Sequence, residues 1–146
     1  MQEAIVEAHA AAARGEVPVG AIVVVGGRIV GRAGNRSVAD HDPTAHAEVL
    51  ALRAAGAEVR NYRLTDAMLY VTVEPCAMCM GAALHARVAR LVYGCTDPKG
   101  GAAGSVFDLA ADVRLNHRIA VTPGVEVEAA RALLQDFFRA RRVSAR

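Results

Sequence analysis

Glu74-Pro75-Cys76-Ala77-Met78-Cys79 sets two thiols three residues apart immediately after a proline. Residues i and i+3 share one face of a helix, and proline favours the first helical position. The stretch predicts a helix that begins at Pro75 and runs to about Ala86, with Cys76 and Cys79 near its amino end. Unpaired N–H groups and the helix dipole there favour the thiolate, the form that binds metal. One turn thus offers two ligands. His85 is not expected to add another, because it lies half a turn around the helix from Cys76.

A zinc site built for catalysis takes three protein ligands and keeps a fourth position for water. The candidate for the third lies upstream, in Asp42-Pro43-Thr44-Ala45-His46-Ala47-Glu48. The Asp-Pro step predicts a second helix, from Asp42 to about Ala55, with His46 in its first turn. His46 and Glu48 are about 200° apart around a regular helix. Both face one site only by reaching past the helix end.

His-Ala-Glu followed by Pro-Cys-x-x-Cys resembles the signature of the zinc-dependent nucleoside and nucleobase deaminases. The blocks Pro18-Val19-Gly20-Ala21, Asn35-Arg36, His41 to Glu48, Tyr70 to Met80, Gly101 to Ser105, Asn116-His117 and Asp136 to Arg142 are similar to the bacterial tRNA adenosine deaminases. Together they run through nearly the whole chain. The resemblance implies an α/β architecture, the three-layer cytidine-deaminase-like fold with a five-stranded mixed sheet and helices on both faces, as a single deaminase domain over residues 1–146. It implies His46, Cys76 and Cys79 on one Zn2+ per subunit, with Glu48 as the catalytic proton carrier. Asn35 and the backbone around Ala47 would hydrogen-bond a flipped base, and Val19 and Val73 would line its pocket. The implied substrate is the wobble adenosine of an arginine tRNA, converted to inosine in the anticodon stem-loop by a homodimer. Phe138, Arg139, Arg141, Arg142 and Asp97, the last in Thr96-Asp97-Pro98, would contact the RNA.

That chemistry explains why a metal is required. Glutamate titrates near pH ~4.3 and water near ~15.7, a gap of about 11 units or roughly 15 kcal/mol, which a carboxylate alone does not bridge. Zinc lowers bound water to about pH 7 and shrinks the gap to about 3 units. A carboxyl group such as Glu48, moving the proton to a ring nitrogen and then to ammonia, typically adds ~10² to 10⁴ in rate.

Composition bounds the rest. A chain of 146 residues, 53% hydrophobic, suits one core. The longest strongly apolar run, Ala21 to Val25, is too short to span a bilayer, and the amino terminus lacks a signal-peptide pattern. Three cysteines, two at metal spacing, argue against a disulfide framework and for a reducing, cytoplasmic setting, with Cys95 an ordinary free thiol. The net charge of +2 is unevenly spread. The last eight residues hold four arginines and no acid, while the other 138 set 13 basic against 15 acidic residues. All but one of the 17 basic residues are arginine, which suits bidentate phosphate contact.

Residues 2 to 14 carry Ile5, Ala8, His9, Ala12 and Ala13 at helical spacing, with His9 in the packed stripe and Gly15 ending the helix. Ala21 to Val25 and Arg28 to Gly31 read as antiparallel strands joined by a Gly26-Gly27 hairpin. Met68 to Val73, Leu91 to Tyr93 and Ile119 to Val121 supply three more strands, Gly94 to Ser105 a surface loop. A last helix, from about Val127 to Arg142, is expected to bury Ala130, Leu133, Leu134 and Phe137.

A Cys-x-x-Cys alone also fits a redox pair or half of a structural zinc knot, and the upstream His-x-Glu weighs against both. Free-base deaminases acting on guanine or cytosine share the zinc motif without needing an RNA surface. A non-catalytic RNA-binding module with structural zinc is the remaining alternative. The arginine tail has a purely structural reading as well, since cations at a helix carboxyl end are stabilised by the dipole.

Overall fold

The computed structural model describes all 146 residues. In order come α1 (Gln2–Ala13), β1 (Gly20–Val25), β2 (Arg28–Gly34), α2 (Ala47–Val59), β3 (Met68–Val73), α3 (Ala77–His85), β4 (Arg90–Cys95), β5 (Ala120–Thr122) and α4 (Val127–Ser144). The strands form one mixed sheet in the order β2-β1-β3-β4-β5. Gly26 and Gly27 both have positive φ, 57° and 76°, as a two-residue hairpin of type I′ requires, and β1 and β2 pair antiparallel. β1 also runs antiparallel to β3, whereas β3, β4 and β5 are parallel. The β3 to β4 connection therefore has to cross over, and α3 makes the crossing. No helix is long and apolar enough to cross a membrane.

Alternation along the strands gives the sheet two different faces. Ala21, Val23, Leu69, Val71, Leu91 and Tyr93 lie on one face and pack with Ala47, Ala51 and Ala55 of α2 and Met80 and Ala83 of α3. Each large side chain sealed there, such as Leu69 or Leu91, contributes roughly 1.5–3 kcal/mol. α1 and α4 cover the opposite face. The sheet meets its helices closely because glycine stands at the crossings: a Cβ on Gly20 would collide with the backbone of Ala4 and Ala8 in α1, and one on Gly31 with Ala51 and Ala55 in α2. The result is the expected α/β fold, a mixed five-stranded sheet between two helical layers.

Several local expectations shift. The buried stripe of α1 is Ala4, Ile5, Ala8 and Ala11, and His9, one residue or 100° beyond Ala8, is exposed to solvent. Of the α4 residues expected in the core only Ala130 is buried; Leu133, Leu134 and Phe137 are half-buried, because the helix lies along the rim of a cleft. Both site helices begin later than their prolines predict. Asp42 Oδ1 accepts the N–H and hydroxyl of Thr44, closing a turn, and the first free N–H of α2, on Ala47, is taken by Asn35 Oδ1 at 2.8 Å. Pro75 O accepts the Ala102 N–H at 2.8 Å and Cys76 pairs with Gly101, which holds residues 75–76 extended and delays α3 to Ala77.

Candidate active site and metal centre

His46 and Cys76 are the residues that immediately precede α2 and α3, with extended backbones at ψ 150° and 175°. Neither side chain caps its own helix. Freed from the helical surface, both project beyond the helix ends toward each other. Cys79, in the first turn of α3, supplies the third group. His46 Nδ1 lies 3.7 Å from Cys76 Sγ and 3.5 Å from Cys79 Sγ, and all three atoms fall within 4.8 Å of one another. Tetrahedral zinc with Zn–S of ~2.3 Å and Zn–N of ~2.0–2.1 Å sets N and S ligands about 3.6 Å apart. The donor set and its spacing fit that ion. No fourth His, Cys, Asp or Glu joins the group, and Cys76 and His46 are only half-buried, facing a cleft.

The three side chains perturb one another strongly. Hydrogen bonding from Cys79, then from His46, pulls the Cys76 thiol far below its ordinary value. Sharing that proton, together with burial, pushes Cys79 up. His46 is raised by its hydrogen bond to Cys76, against the opposing effect of burial. Glu48 stands beside the three donors, only 4% exposed, and burial raises its carboxyl above the ordinary range. A carboxyl group in that state takes up a proton more readily than one in water.

The cleft holds about 1200 Å³. It opens outside the carboxyl ends of parallel β3 and β4, at the point where β1 turns the sheet antiparallel, where ligands of open α/β sheets bind. His46, Glu48 and Cys76 line it together with Val19, Asn35 and Val73. Asn35 accepts the Ala47 N–H through Oδ1, so its Nδ2 remains as the donor. Ala47 is fully buried and not on the wall, its N–H already engaged by Asn35.

The rim is formed by Thr96 to Lys99 and by one side of α4, which presents Phe138, Arg139 and Arg142. Phe138 is 46% exposed and meets Phe137 edge-on at 5.4 Å. Arg141 points elsewhere: it donates to Gly15 O at 3.1 Å and lies 4.9 Å over the Phe137 ring. Asp97 lines the rim while its Oδ1 accepts the N–H groups of Lys99 and Gly100.

Some residues of this site escaped the sequence reading. Lys99, Arg131 and Gln135 share the rim; a helical repeat of four from Arg131 to Gln135 to Arg139 was a visible signal for the last two. Glu16, 2% exposed, accepts the N–H groups of Val38 and Ala39 and pins the turn that leads to His46. Glu74 does more. Burial alone would raise its carboxyl, but hydrogen bonds from Ser105, Asp97 and Ala103 outweigh that and hold it below the ordinary range. Gly94 to Ser105 is accordingly no simple surface loop: its first two residues finish β4, and Gly101 to Ala103 are buried around Glu74.

A model of the MafB19-like deaminase family matches residues 1–142. The chain is 48% identical over 143 residues to the tRNA-specific adenosine deaminase of Haemophilus influenzae, covering 97% of this chain and 83% of that protein. It overlays with a TM-score of 0.89, at 42% identity and over 92% and 97% of the two chains, on a structure from work on A-to-I editing by tRNA:A34 deaminases at the wobble position of transfer RNA. A structure of guanine deaminase from Nitrosomonas europaea overlays with a TM-score of 0.82 at 26% identity, over 93% and 81%.

Proposed function

We propose the function from one premise: this chain belongs to the MafB19-like deaminase family and to the tRNA-specific adenosine deaminases. It hydrolyses the 6-amino group of adenosine in transfer RNA, with water consumed, inosine formed and ammonia released. The observation that carries this is the grouping of His46, Cys76 and Cys79 within 4.8 Å, with the buried Glu48 beside it on the wall of one cleft.

In this reading His46, Cys76 and Cys79 hold one Zn2+. Zinc so held supplies an acidified water for attack at C6 of the purine. Glu48 takes one proton from the attacking water and passes it to the ring nitrogen beside C6. It then moves the remaining hydroxyl proton from the C6 oxygen to the amino group, so that the C6–N bond breaks, ammonia leaves and the C6 carbonyl of inosine forms. Burial raises the affinity of Glu48 for a proton above that of a carboxylate in water, the direction that suits a proton carrier. Asn35 Nδ2 donates to an acceptor on the base edge, and the Ala47 backbone acts through Asn35 by fixing its amide. Val19 and Val73 hold the ring. A base in an anticodon loop is already partly unstacked, so extruding it into the cleft costs less than from a duplex.

RNA reaches the cleft across the basic rim. Phe138 offers a stacking face, Arg139 and Arg142 pair with phosphates, and Lys99 and Arg131 extend the same cationic border. Asp97 shapes the wall between them, and Arg141, held over Phe137, keeps α4 against the end of α1. The wobble adenosine of an arginine tRNA is the proposed position, and a homodimer with one Zn2+ per subunit the proposed assembly. Incubation with tRNA, with an anticodon stem-loop and with free adenine, guanine and cytosine, reading ammonia and inosine, tests the whole reading. Inosine on RNA alone is the expected result; ammonia from guanine or cytosine without inosine on RNA would replace this reading with that of a free-base deaminase.

A further inference from the structure

Glu74 lies two residues before Cys76, and no step of the reaction above uses it. Its side chain is 3% exposed. Oε1 accepts the Asp97 N–H at 3.1 Å and the Ser105 hydroxyl, and Oε2 accepts the N–H groups of Ala103 and Ser105, each at 3.1 Å. A carboxylate has about four acceptor positions. All are filled, so Glu74 has none left for a substrate or an ion.

Every one of those donors belongs to one loop, Asp97 to Ser105, which carries no helix or strand of its own. Glu74 closes the loop from inside. Gly101 comes near enough only because it lacks a side chain; a Cβ there would overlap the Glu74 carboxyl. The same loop pairs with the backbone that leads into the metal centre, through Ala102 N–H to Pro75 O and through Gly101 to Cys76. Its first residues, Asp97 to Lys99, line the same cleft as the arginines of α4.

We propose that Glu74 is a positioning residue that holds the 97–105 loop as the wall along which the RNA strand lies, setting affinity for RNA and leaving the rate on a bound base unchanged. The role in RNA affinity rests on the function proposed above; the role in holding the loop does not.

Three variants test it, Ser105→Ala, Gly101→Ala and Glu74→Gln, each assayed for kcat and KM on an anticodon stem-loop, for zinc content and for hydrogen exchange at the amides of residues 97–105. Ser105→Ala is expected to raise loop exchange about tenfold and KM three- to tenfold, with kcat within twofold of the parent and zinc content unchanged. Gly101→Ala and Glu74→Gln go further in the same direction. If Glu74→Gln fails to fold, the other two decide. Unchanged exchange and unchanged KM in both overturn the proposal, as does a fall in kcat and zinc content at constant KM, which would assign Glu74 to the metal centre. A parent chain that makes no inosine on any RNA rejects the functional reading and the RNA half of this proposal, while loop exchange still reports whether Glu74 holds the wall.

Discussion

Glu48 and Glu74 are the same side chain at nearly the same depth, 4% and 3% exposed, each two residues from a metal-ligating candidate. Their surroundings send them in opposite directions. Glu48 has burial acting on it with the Cys79 thiol, its own N–H and the charge of His46 in partial compensation, and it is driven toward the protonated form. Glu74 suffers burial too, but the donors of one loop surround it and keep it ionised. Desolvation by itself makes a carboxyl ready to accept a proton, whereas a full set of donors makes it an anchor. Two glutamates, each two residues from a candidate ligand, are thus built for movement of a proton and for immobility of a loop.

The strongest way to break this comparison is Glu48→Gln. It should lower kcat by about 10²- to 10⁴-fold with zinc content and fold retained, measured by inosine formation beside metal analysis; a rate near that of the parent would end the role given to Glu48. Stability should separate the pair next. Glu74→Gln sets an amide N–H₂ against N–H donors and is expected to cost about 2–3 kcal/mol in urea denaturation. Glu48→Gln replaces a carboxyl that burial already drives toward its neutral form and that has few donors to lose, and should cost less than about 1 kcal/mol. Equal losses from both would erase the distinction.

A smaller effect sharpens the same lesson on α4, where neighbouring arginines also differ in surroundings. Arg142→Ala should flatten the slope of log K against log salt for stem-loop binding by about 0.7–0.9. Arg141→Ala, whose guanidinium already serves Gly15 O and the Phe137 ring, should leave the slope unchanged. The smallest expected change is His9→Ala, within about 0.5 kcal/mol by thermal melting, since that side chain is exposed.

Much of the fold was legible because its signals are local. The Gly26-Gly27 hairpin, β3 from Met68 to Val73 and the helical α3 are each written in a few consecutive residues. His46, Cys76 and Cys79 were legible as a set because the chemistry of one ion dictates residue types and spacing. The helix starts were misplaced because a distant Asn35 caps α2 and residues 101–102 hold Pro75 and Cys76 extended. Glu74 stood in the opening motif with no assignable role, for its donors lie 23 to 31 residues away.

Sequence by itself determined the elements, the potential ligands and the chemistry they permit, since turn residues, periodicity and donor type act over a few positions. Only the tertiary structure decided which glutamate is left with few donors and which is surrounded, and which arginines border the cleft. Those outcomes depend on desolvation and on hydrogen-bond partners brought in from other strands and loops, and neither is encoded near the residue that feels it.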